Sequence, residues 1–287
     1  MNKQVQEVDH HFVENYWREE GGRKWVENIE RIEFSLIPLS EKLLERAHPD
    51  EGEMVLDVGC GGGVTSLELA QRVGANGQVL GVDIAPLILA IALERGKHTG
   101  NLEFKEGDVE NIDIGEGVYD LICSRFGVMF FNDPVTAFAN LHRALKSTGR
   151  LVFICWRTVE ENPWMGEPAS AVFEILPPEE DAGAGGTDPE APGPFSLADP
   201  VRLRHILESA GFREVHAKAV DTGMPLGRMD EAVNFVMRMG PAAEVINRAG
   251  AEEKTAAARA IQAVLSQYET ADGVIPPCAA WLVTAKH

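Results

Sequence analysis

Apolar positions alternate between two spacings along most of the chain. Met54–Val58, Gln78–Asp83, Leu102–Lys105, Tyr119–Cys123 and Arg150–Trp156 are short runs rich in Val, Ile and Leu, and they predict buried strands. Between them, Val64–Val73, Pro86–Arg95 and Pro134–Leu145 carry apolar residues at helical spacing. Two of these helices open on proline, which suits a first turn, and Gly74 stops the other. Phe212–Val220 and Ala279–Ala285 (AAWLVTA) add two strands, with a helix over Asp199–Ala210 before the first of them. Strand and helix in regular alternation predict an α/β fold: a Rossmann-like, doubly wound, mostly parallel sheet.

Three segments lie outside that alternation. Met1–Pro49 reads as amphipathic helix, with Trp17, Trp25, Ile29, Ile32, Leu36, Leu39, Leu43 and Leu44 on its stripe. Gly21-Gly22 is expected to break it, and Pro38 to kink it or start a new helix. Arg157–Ala198 is rich in Pro, Gly and acids, too long for a simple connection, and predicts a lid or mobile loop. Arg228–Tyr268 is helical and alanine-rich, interrupted at Gly240-Pro241. The expected organisation is a helical lid over 1–52 and a core over 53–220 with a lid loop at 157–198. A helical cap over 221–278 and a final core strand over 279–287 complete it. The surplus over a standard domain is thus read as a cap on one site.

Composition narrows the partners. There are 26 Lys and Arg against 45 Asp and Glu, a net charge of −19, so a basic footprint for phosphate backbones is missing. No apolar run reaches the ~18 residues that span a bilayer, and the first twenty residues are polar and acidic rather than signal-like. Cys60, Cys123, Cys155 and Cys278 show no metal or disulfide spacing and read as buried thiols in a reducing cytoplasm. The expectation is a cytoplasmic protein with a small-molecule partner, without nucleic acid, membrane or metal. Glycine, at 28 of 287 residues or about a tenth, exceeds the usual ~7%, which points to tight turns or close backbone approach.

The chemistry concentrates in Val55–Gly63 (VLDVGCGGG), a strand ending in an acid, then a glycine loop, then a helix. In open α/β sheets ligands bind beyond the carboxyl ends of the strands. A dinucleotide would want a third glycine at position 64, where Val64 stands. Asp57 at the loop's mouth would repel a pyrophosphate and suit a cationic ligand, such as the ammonium-bearing tail of S-adenosylmethionine (SAM).

Several motifs in order then resemble the class I SAM-dependent methyltransferases: VLDVGCGGG, VLGVDIAP, EGDVEN, YDLICSRFGVMFF and LKSTGRLVFICW, together covering about Met54–Trp156. The SRFGVMFF and W-R-x-x-x-E-N-P-W stretches are most similar to the small-molecule branch that includes ubiquinone and menaquinone C-methyltransferases. The resemblance implies a seven-stranded sheet whose last strand is antiparallel, and SAM as cofactor. It implies a loop of Asp57, Gly59, Cys60, Gly61 and Gly62 around the cofactor, and Asp83 with Ile84 at the ribose. Asp108 and Val109 would lie at the adenine, and Ser124 and Arg125 at the crevice. Trp25, on the apolar stripe of the N-terminal helix, reads either as core packing or as folded over the cofactor. Arg125 is equally open to pairing with an acidic substrate.

Candidate substrate contacts are Tyr16, Trp17, Phe126, Met129 and Phe130, each of which has core packing as its alternative, and Trp156 and Trp164, which flank the end of strand five. Asn162-Pro163-Trp164 reads as a turn. Strand four carries Ser124-Arg125-Phe126-Gly127, which argues against amino methylation of adenine or cytosine. In-line displacement at a sulfonium needs mainly positioning and water exclusion. A general base is needed only for a nucleophile that loses its proton late, and His10 and His11 are the candidates, with His142 and His205 expected at the surface. The function expected is methyl transfer to a small, largely apolar metabolite. A SAM-binding sensor without turnover and a nicotinamide-dependent oxidoreductase are the alternatives, separable by which cofactor binds and whether it is consumed.

Overall fold

The computed structural model describes residues 12–178 and 191–287. Strands β1 (Met54–Val58), β2 (Gln78–Asp83), β3 (Leu102–Glu106), β4 (Tyr119–Arg125), β5 (Leu145–Trp156) and β6 (Arg213–Gly223) are joined by a last long strand, β9 (Pro277–Lys286). They form one seven-stranded sheet in the order β3-β2-β1-β4-β5-β9-β6. The β1–β5 pairings are parallel, and β9 runs antiparallel to both β5 and β6, as expected. Val55, Leu56, Leu121, Ile122 and Leu151 through Cys155 are 0–1% exposed, because helices cover both faces.

The chain reverses its strand order between β1 and β4, so loops leaving these two strands diverge and open a crevice at the sheet's carboxyl edge. Helices α4 (Val64–Val73) and α5 (Pro86–Gly96) follow β1 and β2, and α6 (Pro134–Ala144) precedes β5. Each starts where the sequence says it should: α5 and α6 on proline, α6 capped by Asp133 accepting from Thr136 N.

Three expectations need correcting. Gly21 and Gly22 do not break the N-terminal helix; they lie inside α2 (Glu20–Ser35), and the break falls at Glu19 after α1 (Phe12–Arg18). A side chain on Gly22 would sit 2.4 Å from the Trp17 carbonyl, so these glycines let α1 fold back on α2. Pro38 does start a new helix, α3 (Ile37–Ala47).

The second correction concerns the proposed lid loop. It contains a helix, α7 (Pro163–Phe173), and Asn162-Pro163-Trp164 is that helix's start rather than a turn. Its far end is tied down, Gly193 N and Ser196 Oγ both donating to the Met129 carbonyl at 3.1 and 2.6 Å. The glycine run at 182–186 lies outside the described residues. Third, after α8 (Pro200–Ser209) and β6, the helical stretch is interrupted at Gly240-Pro241 as expected but breaks a second time at Ala249-Gly250, giving α9 (Met229–Met239), α10 (Ala243–Arg248) and α11 (Ala251–Leu265). A small hairpin, β7 (Glu269–Thr270) with β8 (Gly273–Val274), leads back into β9. All four cysteines are free and buried. Among the described residues no helix is long and apolar enough to cross a membrane.

Candidate active site

β1 delivers Asp57 to the carboxyl edge, 1% exposed. One oxygen accepts from Ser66 Oγ, on the first turn of α4, at 2.6 Å. The other, Oδ1, is buried and has no hydrogen-bond partner. Burial pushes this carboxyl up to about 7, with the Ser66 bond and the Arg125 charge pulling the other way. Buried carboxylate oxygens are rarely left unpaired, because losing water without a replacement is costly.

Asp83 ends β2, and burial raises its pKa against the backbone bonds that lower it. Its two oxygens accept from Gly61 N at 2.7 Å and Ala85 N at 2.9 Å, so it fixes the glycine loop to the start of α5. Gly59 has φ +65, and a Cβ there would lie 2.7 Å from Gly127 Cα, so the loops after β1 and β4 touch at backbone level. A Cβ on Gly61 (φ +55) would meet only Ile88 Cγ2 at 4.0 Å, leaving that side of the loop to a ligand. Cys60 is buried, and burial holds its thiol protonated.

Helix α2 lies across this loop. Gly62 faces Ile29, and its carbonyl accepts from Arg95 Nη1 at 2.8 Å. Arg95 also binds Glu33 of α2 through both ends of its guanidinium, at 2.6 and 3.0 Å. Farther along, Arg18 of α1 donates to Glu106 at the end of β3 at 2.6 Å. Trp25 and Trp17 meet edge to face at 5.7 Å, Trp17 and Phe130 at 5.0 Å, and Tyr16 packs on Trp17 at the exposed end of the row. The N-terminal helices therefore run over the ends of β3, β2, β1 and β4.

The other candidate residues divide into open and committed groups. Asp108 is partly exposed and caps its own turn, accepting from Glu110 N and Asn111 Nδ2, while the Val109 side chain is core. Ile84 is half-buried between Asp83 and Ala85. Ser124 is fully buried, and its hydroxyl donates to Val58 O at 2.7 Å and accepts from Gly127 N at 3.3 Å. Its side chain ties β4 to β1 and is not free for a ligand. Arg125 Nη1 donates to Ser40 Oγ of α3 at 2.9 Å.

Beyond β4, Phe126 takes φ +62, an unusual conformation for an aromatic residue, and stacks on Trp156 at 4.1 Å. Trp156 contacts Trp164 at 5.4 Å. Met129 sits in the core rather than on an open wall: it is 2% exposed, and its sulfur accepts from Trp156 N at 3.4 Å. Asn162, read from sequence as a turn residue, is fully buried and orders this wall. Its Oδ1 accepts from Trp164 Nε1 at 3.1 Å and Ala279 N at 3.0 Å, and its Nδ2 donates to Thr158 O and Ala279 O. Ser66 was missed too, although its place one turn into the helix after the glycine loop was a readable signal. His10 and His11 lie outside the described residues. His142 stacks on His287 at 4.0 Å against Phe212, and His205 is exposed on α8.

Residues 55–149 match a family model described as a methyltransferase domain. A demethylmenaquinone methyltransferase from Staphylococcus haemolyticus is 25% identical over 187 residues, covering 63% of this chain and 77% of that one. Aklanonic acid methyltransferase DauC from Streptomyces is 33% identical over 124 residues, covering 42% and 56%. Nocamycin O-methyltransferase from Saccharothrix syringae is 29% identical over 191 residues, covering 64% and 67%. Residues 55–149 are thus a methyltransferase domain, and the chain is a SAM-dependent methyltransferase similar to these small-molecule enzymes. The fold of this methyltransferase also matches a solved phosphoethanolamine N-methyltransferase 2 from Haemonchus contortus in complex with SAM, with TM-score 0.60 and 15% identity, covering 98% of this chain and 60% of that one. A second match is the YcgJ protein from Bacillus subtilis, with TM-score 0.55 and 16% identity, covering 86% and 97%. The crevice of this methyltransferase fits its cofactor in two respects: a buried acceptor without a partner at Asp57, and a loop at Gly61 with open space where a side chain would be.

Proposed function

We propose that this methyltransferase acts on a small, largely apolar metabolite, and that the edge of β1, β2 and β4 holds the cofactor. The free Asp57 Oδ1 takes the tail ammonium, and Asp83 takes the ribose hydroxyls through its remaining lone pairs. Gly59, Cys60, Gly61 and Gly62 offer backbone, and Asp108 and Val109 flank the adenine. The observation that carries this reading is the unpartnered Asp57 Oδ1, buried beside a glycine loop at the strand-order reversal.

When bound, SAM supplies an electrophilic methyl on a sulfonium, open to in-line displacement. The protein's part is to orient and to exclude water. Helices α1 and α2 over residues 12–35, within the proposed 1–52 lid, carry Tyr16, Trp17 and Trp25 toward Phe130. Phe126, Trp156 and Trp164 form a second aromatic group beyond β4. Apolar walls from two sides favour an acceptor that is itself apolar. Arg18, Lys24 and Arg95, on or against the N-terminal helices, are already paired with carboxylates. The 221–278 segment serves as the cap. The net charge of −19 supports a metabolite over a nucleic acid, and four free buried thiols support a cytoplasmic setting.

The test is incubation with methyl-labelled SAM and host extract, followed by mass spectrometry of the small-molecule fraction. A labelled apolar product is expected. Label found only in protein or nucleic acid, or bound cofactor that no extract consumes, would refute the reading.

A further inference from the structure

Helices α1 and α2 cover the crevice but rest lightly on the body. Trp17, Trp25, Val26 and Ile29 pack on Ala85 and Ile88 in a small apolar cluster beside the main core. Ion pairs add to this: Arg18 to Glu106 at the end of β3, Glu33 to Arg95 of α5, and Arg31 Nη2 to Glu231 Oε1 of α9 at 2.8 Å. Glu33 and Arg31 stand two residues apart, so they leave α2 on nearly opposite flanks. The Glu33 flank faces α5 and the glycine loop, where Arg95 also holds the Gly62 carbonyl. The Arg31 flank faces the 221–278 segment. There the guanidinium enters a notch that only glycine leaves open: a Cβ on Gly227 (φ +83) would lie 2.3 Å from Arg31 Nη1. The β7–β8 hairpin holds the notch in place, Val274 N donating to the Gly227 carbonyl at 2.8 Å.

The cover also has a pivot. α2 ends at Leu36, which starts α3, and Pro38 in the first turn of α3 cannot continue the hydrogen-bond ladder. α3 itself belongs to the body: Leu39, Leu43 and Ala47 are fully buried, and Arg150 donates to the Ala47 and His48 carbonyls. Beside the pivot the Ser35 hydroxyl is buried without a hydrogen-bond partner, a cost that lifting α2 into water removes. With α2 in place Asp57 is 1% exposed, and a Cβ on Gly62 would lie 2.6 Å from Ile29, so ligand entry needs the cover to lift.

We propose that residues 12–35 swing about Leu36 as one gate, and that Arg31 is the positioning residue that latches this gate to α9. Arg31 and Glu231 are 27% and 35% exposed, so their pair is weak enough to open and close. The inference rests on the cofactor reading above, because the cofactor is what passes the gate. A latch has its own kinetic signature. The ligand enters and leaves only through the open form, so a weaker latch raises the open fraction of the empty and the loaded protein by the same factor. Association and dissociation then quicken together, and affinity stays where it was.

The experiment is stopped-flow tryptophan fluorescence of the full chain with S-adenosylhomocysteine, since Trp17 and Trp25 ride on the gate. Arg31→Met, which keeps an apolar stem beside Phe34, is expected to raise both rate constants about 2- to 5-fold, the range of a half-exposed ion pair, with Kd within about a factor of two. Glu231→Gln should move both rates the same way, and the double variant should go no further than Arg31→Met alone. Arg31→Met with wild-type rates, or with faster dissociation alone and a correspondingly weaker Kd, overturns the latch. A double variant that adds the two effects means that the residues act apart, and overturns it too. If Arg31→Met does not fold by circular dichroism, Glu231→Gln decides by the same criteria. Either failure in a wild type that binds S-adenosylhomocysteine leaves the cofactor reading standing, whereas a wild type that binds none overturns both.

Discussion

Two sides of the crevice are built on opposite terms. At the ends of β1 and β4 the polar groups are under-satisfied: Asp57 Oδ1 has no partner, and Arg125 holds a single side-chain bond. Around β5 and α7 everything is satisfied: Asn162 uses both ends of its amide, and the Phe126–Trp156–Trp164 stack sits against it. An interior tolerates unpaired charge only where something else will pair with it, whereas a packed aromatic wall needs nothing further. The first side is therefore a receptor waiting for charge, and the second is a scaffold that sets shape. Mutations on the first should change cofactor binding, and mutations on the second should change stability.

The largest effect should come where the two sides touch. Gly59→Ala places a methyl 2.7 Å from Gly127 Cα at φ +65, so strain and clash together should cost about 4 kcal/mol. Chemical denaturation would show it, and a loss below ~1 kcal/mol would mean the two loops are not in contact. Next, Asn162→Ala should cost about 3 kcal/mol of stability by orphaning the Trp164 indole and the Ala279 backbone. S-adenosylhomocysteine affinity should stay within about twofold. A large affinity loss with intact stability would erase the distinction between the sides.

Asp83→Ala should do the reverse, weakening that affinity about 100-fold by removing the carboxylate from the glycine loop, with a smaller change in melting temperature.

The smallest effect is a pH dependence. Burial raises the Asp57 carboxyl to about 7, so the ligand-free protein loses stability as pH rises from the ordinary carboxyl value of 3.8 toward about 7. The ammonium needs the ionised form, so affinity should fall as pH drops below about 7, approaching tenfold per unit. Asp57→Asn should flatten that slope in titrations from pH 5.5 to 8. A slope that survives the substitution would move the titrating group elsewhere.

Much of the receptor side was legible in the sequence, because its chemistry is written in adjacent residues. Asp57 with the glycine loop and Asp83 at the end of β2 stand at strand ends that apolar runs marked clearly. The scaffold side was largely illegible. Pro163 and Pro168 made α7 read as loop, although the first sits at the helix start and the second is accommodated inside the helix. Asn162 looked like a turn residue, because its main partner, Ala279, is 117 residues away. Gly21 and Gly22 looked like a break, because nothing local shows that Trp17 folds against them.

The central claim is that the under-satisfied edge around Asp57, at the ends of β1, β2 and β4, receives a SAM-type ligand. Isothermal titration of the wild-type chain with S-adenosylhomocysteine tests it most directly, with NADH as the competing ligand. One site per chain, with S-adenosylhomocysteine bound and NADH giving no heat, is the predicted result. NADH binding, or no heat from S-adenosylhomocysteine at millimolar concentration, would contradict it.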